Sequence, residues 1–303
     1  MSLWNYLTRR SDRGAYPRIT PWMMLVPYLI LTAAFFLYPF VNAIWLAFHQ
    51  TNGPLTSVFV GLDNFRFVLG DPIFHKALKN TFIYAIVSLF VQLPLALGLA
   101  MLLNTRASRA RNIFRLVIFS PHLVGQIFVG ILFSVMFMPR YGLFNRAIQM
   151  VAGWGLEERW LMNPELVMPA LIIVSMWLYV GFNMIYFLAA LQNVDQSLVE
   201  AASIDGASKW QSFVHVTVPQ IKPVLIFIVL MSTIGSFQLF ELPYALLGGF
   251  GPNNSGLTIV GYLYNTAFGT GDLGTGAAIG WLLALLIFAI STVQIRVSRA
   301  MED

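Results

Sequence analysis

Apolar residues run through this chain in six long blocks free of Asp, Glu, Lys and Arg: 19–62, 80–105, 116–139, 166–194, 223–240 and 273–295. A helix crosses the hydrocarbon core of a bilayer with about 20 apolar residues. Each block supplies that length, the fifth by running on past Glu241. The pattern predicts spans near 22–48, 80–104, 113–138, 167–191, 223–247 and 273–296. The blocks are continuous and do not alternate at period two, which predicts helices and not barrel strands. The expected fold is all-α: a polytopic membrane protein with six transmembrane helices over 21–303, preceded by a cytoplasmic segment at 1–20.

Composition agrees. The chain is 58% hydrophobic and 10% charged, against about 25% charged for a soluble domain. Six spans put both termini on one side, with Arg9, Arg10, Arg13, Arg18, Arg106, Arg109, Arg111, Arg115, Lys209, Lys222, Arg296 and Arg299. These are twelve of the 18 basic residues, leaving Arg66, Lys76, Lys79, Arg140, Arg146 and Arg159 opposite. The positive-inside bias makes both termini cytoplasmic. No basic stripe is interleaved with exposed aromatics, so the net charge of +5 does not point to nucleic acid. The first apolar run is too long for a cleavable signal peptide and lacks a small-residue cleavage site.

Several chemistries are excluded. With no cysteine there is no disulfide framework, thiolate metal site or catalytic thiol. His49, His75, His122 and His215 lack ligand-like spacing, and no HExxH occurs. None of the lysines at 76, 79, 209 and 222 precedes Ser or Thr, so a P-loop cannot exist. Any ATP is bound by another polypeptide.

The apolar pattern is broken on the cytoplasmic side by residues 200–213, EAASIDGASKWQSF, within a loop spanning 195–222. Ser197 to Glu200 reads as a capping box that opens a short helix. Gly206 stops that helix, because glycine takes the left-handed conformation at no steric cost. Ser208 to Gln211 reads as a second box. Trp210, Phe213, Val214 and Thr217 then form one apolar stripe on a helix expected to end at Pro219.

Glu200-Ala201-Ala202, Asp205-Gly206-Ala207, Phe213 and Val216-Thr217-Val218-Pro219 resemble the EAA loop of ABC-importer permease subunits. Gly61-Leu62-Asp63-Asn64-Phe65, Asp71-Pro72, Phe74, Ala77-Leu78 and Asn80-Thr81 resemble the approach to span 2 in carbohydrate permeases of the maltose and glycerol-3-phosphate type. Ser236 to Glu241 with the turn Gly248–Pro252 is similar to the end of span 5 there. The resemblance implies a type I ABC-importer permease fold in a bacterial or archaeal cytoplasmic (inner) membrane. It implies Glu200, Ala201, Ala202, Asp205, Gly206 and Ala207 as the loop that docks an ATPase subunit. It also implies a second permease, an ATPase dimer carrying ATP and Mg, an extracytoplasmic solute-binding protein and a sugar substrate, with no cofactor on this chain.

Transport paths collect the polar groups that lipid-facing positions cannot tolerate. Span 4 offers Trp177, Tyr179, Asn183 and Tyr186; span 5 offers Ser232, Ser236, Gln238 and Glu241. By the resemblance, Trp177 and Ser232 match positions along the sugar path, whereas Phe182 and Leu239 stand where a tyrosine and an amide are expected. Apart from Arg115 and Arg296 at their cytoplasmic ends, the expected spans hold no Lys or Arg, which favours a neutral oligosaccharide over an anion such as glycerol 3-phosphate. Glu241, expected inside span 5, points by helical spacing away from the Ser232–Ser236 face. The alternative class is an ion-gradient-driven secondary transporter, which would carry midplane carboxylates and inverted repeats.

Overall fold

The computed structural model describes residues 19–51, 57–104, 109–153 and 155–300. Arg9, Arg10, Arg13, Arg18 and Arg106, which help to set the expected sidedness, lie outside the described residues, as does most of the 1–20 segment. The long helices are α1 (Thr20–Ala47), α3 (Pro72–Leu103), α7 (Pro164–Gln192), α9 (Lys209–Phe237) and α12 (Leu273–Ala300). Between α1 and α3 stand a hairpin of β1 (His49–Thr51) and β2 (Ser57–Phe59) and the short α2 (Asp63–Gly70). His49 pairs with Phe59 in its antiparallel register. Helices α4 (Arg109–Phe119) and α5 (Gln126–Met136) are followed by α6 (Leu143–Ala152). Helix α8 (Gln196–Ile204) precedes α9, and α10 (Glu241–Leu247) and α11 (Ile259–Tyr264) follow it.

Five helices are long and apolar enough to cross a membrane, and α4 with α5 makes a sixth if counted as one span bent by 99°. Helix α7 is the most enclosed of them. Its N-terminal half joins Phe133, Phe137, Trp160 and Leu242 in one core, and its C-terminal half joins Leu93, Ala96, Ala100, Ile221 and Ile228 in another. A third core joins α2, α3, α11 and α12 through Val68, Phe74, Ile259 and Ile279.

Two expected spans are not continuous, and proline explains both. A helical proline lacks the N–H that would bond the carbonyl four residues back, and its ring clashes with that carbonyl. In the third span Pro121 sits in a 3-10 turn at Ser120–Leu123, and the Val117 carbonyl accepts from the Ser120 hydroxyl at 3.0 Å. In the fifth, Pro243 would strand the Leu239 carbonyl, which accepts from the Thr258 hydroxyl at 2.6 Å. The helix therefore ends at Phe237 rather than near 247, and Glu241 opens a separate helix. Helix α10 packs on α5 at Gly130, where an added Cβ would meet the Ala245 Cβ at 2.7 Å and the Leu246 amide at 2.9 Å.

Pro219 does the opposite of what its position predicts: it ends nothing. A π turn at Phe213–Thr217 precedes it, with Val218 N–H bonded five residues back to Phe213, and α9 runs straight on.

The motif before span 2 fastens the loops at that end of the bundle. Asp71 caps α3 by accepting from Ile73 N–H at 2.8 Å. Asn64, buried, donates to the Ala47 and His49 carbonyls at 3.0 Å each. Asn80 donates to the Asn254 and Leu257 carbonyls at 3.1 and 2.9 Å, and Ile259 N–H donates to the Thr81 hydroxyl at 3.1 Å. The Tyr262 hydroxyl donates to Asp71, and burial together with that carboxylate holds its phenol well above the usual range.

Candidate functional site

The two breaks and the middle of α7 line a half-open cavity of about 360 Å³, inside the usual range for small-molecule sites. Irregular backbone at membrane depth is tolerated where it lines such a space or is covered by protein. Of the residues named from sequence, Tyr179, Asn183, Ser232, Ser236 and Gln238 all reach its wall, together with Phe182 and Leu239. Among the described residues the wall contains no Asp, Glu, Lys or Arg. His122 stands behind it, stacked on Phe182 at 4.1 Å, and its buried Nδ1 has no hydrogen-bond partner.

Trp177, Tyr186 and Glu241 lie elsewhere. Trp177 is half exposed on the outside of α7 and packs on Phe133 at 5.3 Å. Tyr186, also half exposed, contacts Phe182 and Phe227. Glu241 occupies the first turn of α10, where a carboxylate is favoured by the helix dipole. The helical spacing applied to it from sequence fails because the helix breaks between them.

Sequence reasoning missed a whole side of the cavity. Tyr84, Ser88 and Gln92 of α3 and Gln126 at the start of α5 also line it. A signal was present: Ser88 and Gln92 are isolated polar residues just ahead of Pro94 in an otherwise apolar block.

The second feature is the elbow of α8 and the start of α9. The first capping box predicted from sequence does not form. Asp195 is the cap, accepting from Ser197 N–H at 2.9 Å and from its hydroxyl at 2.7 Å, which leaves Ser197 inside the helix. The aspartate two residues earlier takes both the amide and the hydroxyl of Ser197, and those bonds hold its carboxyl below the usual value. The second box forms as expected: Gln211 N–H donates to Ser208 at 3.3 Å and Ser208 N–H to the Gln211 side chain at 2.8 Å. Gly206 closes α8 at φ +84°, with Ala207 N–H bonded to Ala202 and Gly206 N–H to Ser203. That pair of bonds is a Schellman motif. Ala202, Asp205, Gly206 and Ala207 line a shallow hollow with Gln211 and His215, while Glu200 and Ala201 are exposed beside it. Ile204 and Trp210 stand outward at 86% and 70% exposure. Asp195 N–H also donates to the Gln220 side chain at 2.9 Å, tying α8 to α9.

A bundle of membrane helices whose broken spans line a half-open cavity with polar, aromatic and uncharged side chains has the architecture of a solute pathway. Residues 93–303 match the family of binding-protein-dependent transport system inner membrane components, and the chain belongs to that family. It is 36% identical over 281 residues to the arabinooligosaccharides transport system permease protein AraP of Bacillus subtilis (strain 168), covering 93% of this chain and 89% of that one. It is 34% identical over 294 residues to the lactose transport system permease protein LacF of Rhizobium radiobacter, covering 96% and 98%. A chain from the crystal structure of a bacterial ABC transporter that imports the acidic polysaccharide alginate shares the fold, with a TM-score of 0.81 and 24% identity over 93% of this chain and 96% of that one. The protein is thus a multi-pass inner-membrane permease that works with a solute-binding protein.

Proposed function

We propose that this chain forms half of the pathway of an ATP-driven importer for neutral oligosaccharides, beside a second permease. ATP and Mg are held by a pair of ATPase subunits, and both termini face the cytoplasm. The observation that carries the substrate class is the cavity wall: hydroxyls, amides and aromatic rings without a charge. Rings suit the C–H faces of a sugar, and hydroxyls and amides suit its edge. A phosphorylated solute such as glycerol 3-phosphate needs a cation to replace its hydration, and among the described residues none lines this wall. The names of AraP and LacF support the same class.

The elbow supports the coupling role. Glu200, Ala201, Ala202, Asp205, Gly206 and Ala207 form a rigid, doubly capped knob, and Ile204 and Trp210 offer a partner apolar surface to bury. Helix α9 carries that knob to the cavity without interruption. From Gln211 to Ser232 the path is about 32 Å at 1.5 Å per residue.

The complex reconstituted with its partners should accumulate arabinotriose or lactose only with ATP and unaffected by a protonophore, and should take up glycerol 3-phosphate poorly. Preference for the phosphorylated solute would overturn the substrate class. Uptake driven by a proton gradient alone would restore the secondary-transporter reading.

A further inference from the structure

Helix α3 crosses as one of the most apolar helices of the bundle, yet it turns a row of polar side chains into the cavity. Tyr84, Ser88 and Gln92 all line it and are only 4%, 6% and 3% exposed. A buried amide in a lipid-embedded helix is costly unless it is hydrogen-bonded, so such a residue calls for a use. The backbone is built to bring these side chains together. In a regular helix Gln92 would stand about 80° around the axis from Tyr84. Instead Ser88–Gln92 is a π turn, with Leu93 N–H bonded five residues back to Ser88, and the wider turn swings Gln92 back toward Ser88. Pro94 imposes that turn by excluding the ordinary bond to the Phe90 carbonyl. The π turn touches both α7 and α9, so its two polar ends complete the wall between the Tyr179–Phe182 rings and the Ser232–Ser236 hydroxyls.

We infer that Ser88 and Gln92, presented by the proline-induced π turn of α3, are specificity-determining residues that select saccharides by their hydroxyl pattern. This rests on the saccharide reading above. The rings of α7 grip any sugar face, because every pyranose or furanose presents C–H bonds. The hydroxyl of Ser88 and the amide of Gln92 both donate and accept, so they match particular hydroxyls and reject a sugar that lacks them. Discrimination of this kind is strong because the rejected sugar leaves buried polar groups unpaired.

The test uses the whole complex in proteoliposomes, at saturating loaded binding protein. Uptake of lactose and arabinotriose is compared with that of their singly deoxygenated analogues, for wild type, Ser88→Ala and Gln92→Leu. The expected result is that at least one variant loses about tenfold of the wild-type preference for one parent sugar over one analogue, in complexes that assemble with the yield of wild type. Equal loss for every sugar would make the two residues mere helix-to-helix glue, and an unchanged preference would remove them from the path; either overturns the inference. Should Gln92→Leu fail to assemble, Ser88→Ala and Pro94→Ala, which relaxes the turn, read the same ratio. Wild-type complex that takes up neither saccharide with ATP would instead sink the saccharide reading, and this inference with it.

Discussion

Gly206 is the residue on which the elbow turns. Its φ of +84° lies where proline cannot go, and its N–H closes the Schellman motif on Ser203. An added Cβ there meets nothing within 4 Å, so alanine would suffer only backbone strain of about 1–2 kcal/mol. Gly206→Pro should therefore abolish substrate-stimulated ATPase activity in the reconstituted complex, while Gly206→Ala reduces it only in part. Equal behaviour of the two would mean that the turn does not matter. Asp195 acts at the other end of the same helix. Its carboxyl lies below the ordinary 3.8 because the Ser197 hydroxyl and amide bond to it. A carboxylate with a lowered value contributes fully above the ordinary one and is lost only as pH falls through the lowered one. Between pH 8 and 5 the cap is thus always charged. Asp195→Asn, an equally good cap, should keep stimulated activity within twofold of wild type across that range, and Asp195→Ala should lower it throughout.

At the scale of elements, proline has more than one outcome in these spans: Pro27, Pro169 and Pro223 sit inside unbroken helices with no π turn directly before them. Pro39, Pro94 and Pro219 each follow a π turn by two residues, at Ala33–Leu37, Ser88–Gln92 and Phe213–Thr217, and the helix continues. Pro121 and Pro243 have no such turn, and a Ser or Thr hydroxyl takes the stranded carbonyl while the chain bends. Hydrophobic patterning located all six apolar blocks because apolar length is what a bilayer demands of each. It could not locate the bends, because a proline looks the same in every setting and Thr258, which caps the Leu239 carbonyl, is 19 residues away. The cavity was legible to the same extent. Polar residues of spans 4 and 5 were visible, but the α3 wall depends on a π turn that leaves no period in the sequence. The bent pieces then depend on close packing. Gly130→Val would drive a side chain into Ala245 and Leu246, an overpacking that typically costs about 1–3 kcal/mol. The purified complex should lose thermal stability, and uptake should fall more than ATP hydrolysis. An unchanged melting temperature would show that α10 moves freely over α5.

For the whole molecule the decisive geometry is the reach of α9. Its 29 residues from Lys209 to Phe237 extend about 43 Å at 1.5 Å per residue, longer than the roughly 30 Å hydrocarbon core. The elbow at one end and the break at the other therefore cannot both be buried in lipid. The end near Gln238 lies with the loops that Asn80 and Thr81 fasten to α3, and α2 with its exposed Arg66 stands beside the start of the same helix. The prediction is that Arg66 and Lys209 lie on opposite faces of the membrane, with Lys209 inside, as the proposed orientation requires. A chain without cysteine makes this directly measurable. Arg66→Cys should react with a membrane-impermeant maleimide on intact cells, or on spheroplasts where an outer membrane intervenes. Lys209→Cys should react only after the inner membrane is opened. Reaction of position 209 from outside would invert the permease and remove the elbow from any ATPase. Reaction of both positions from the same side would break the continuity of α9 across the bilayer, and with it the mechanical link from elbow to cavity.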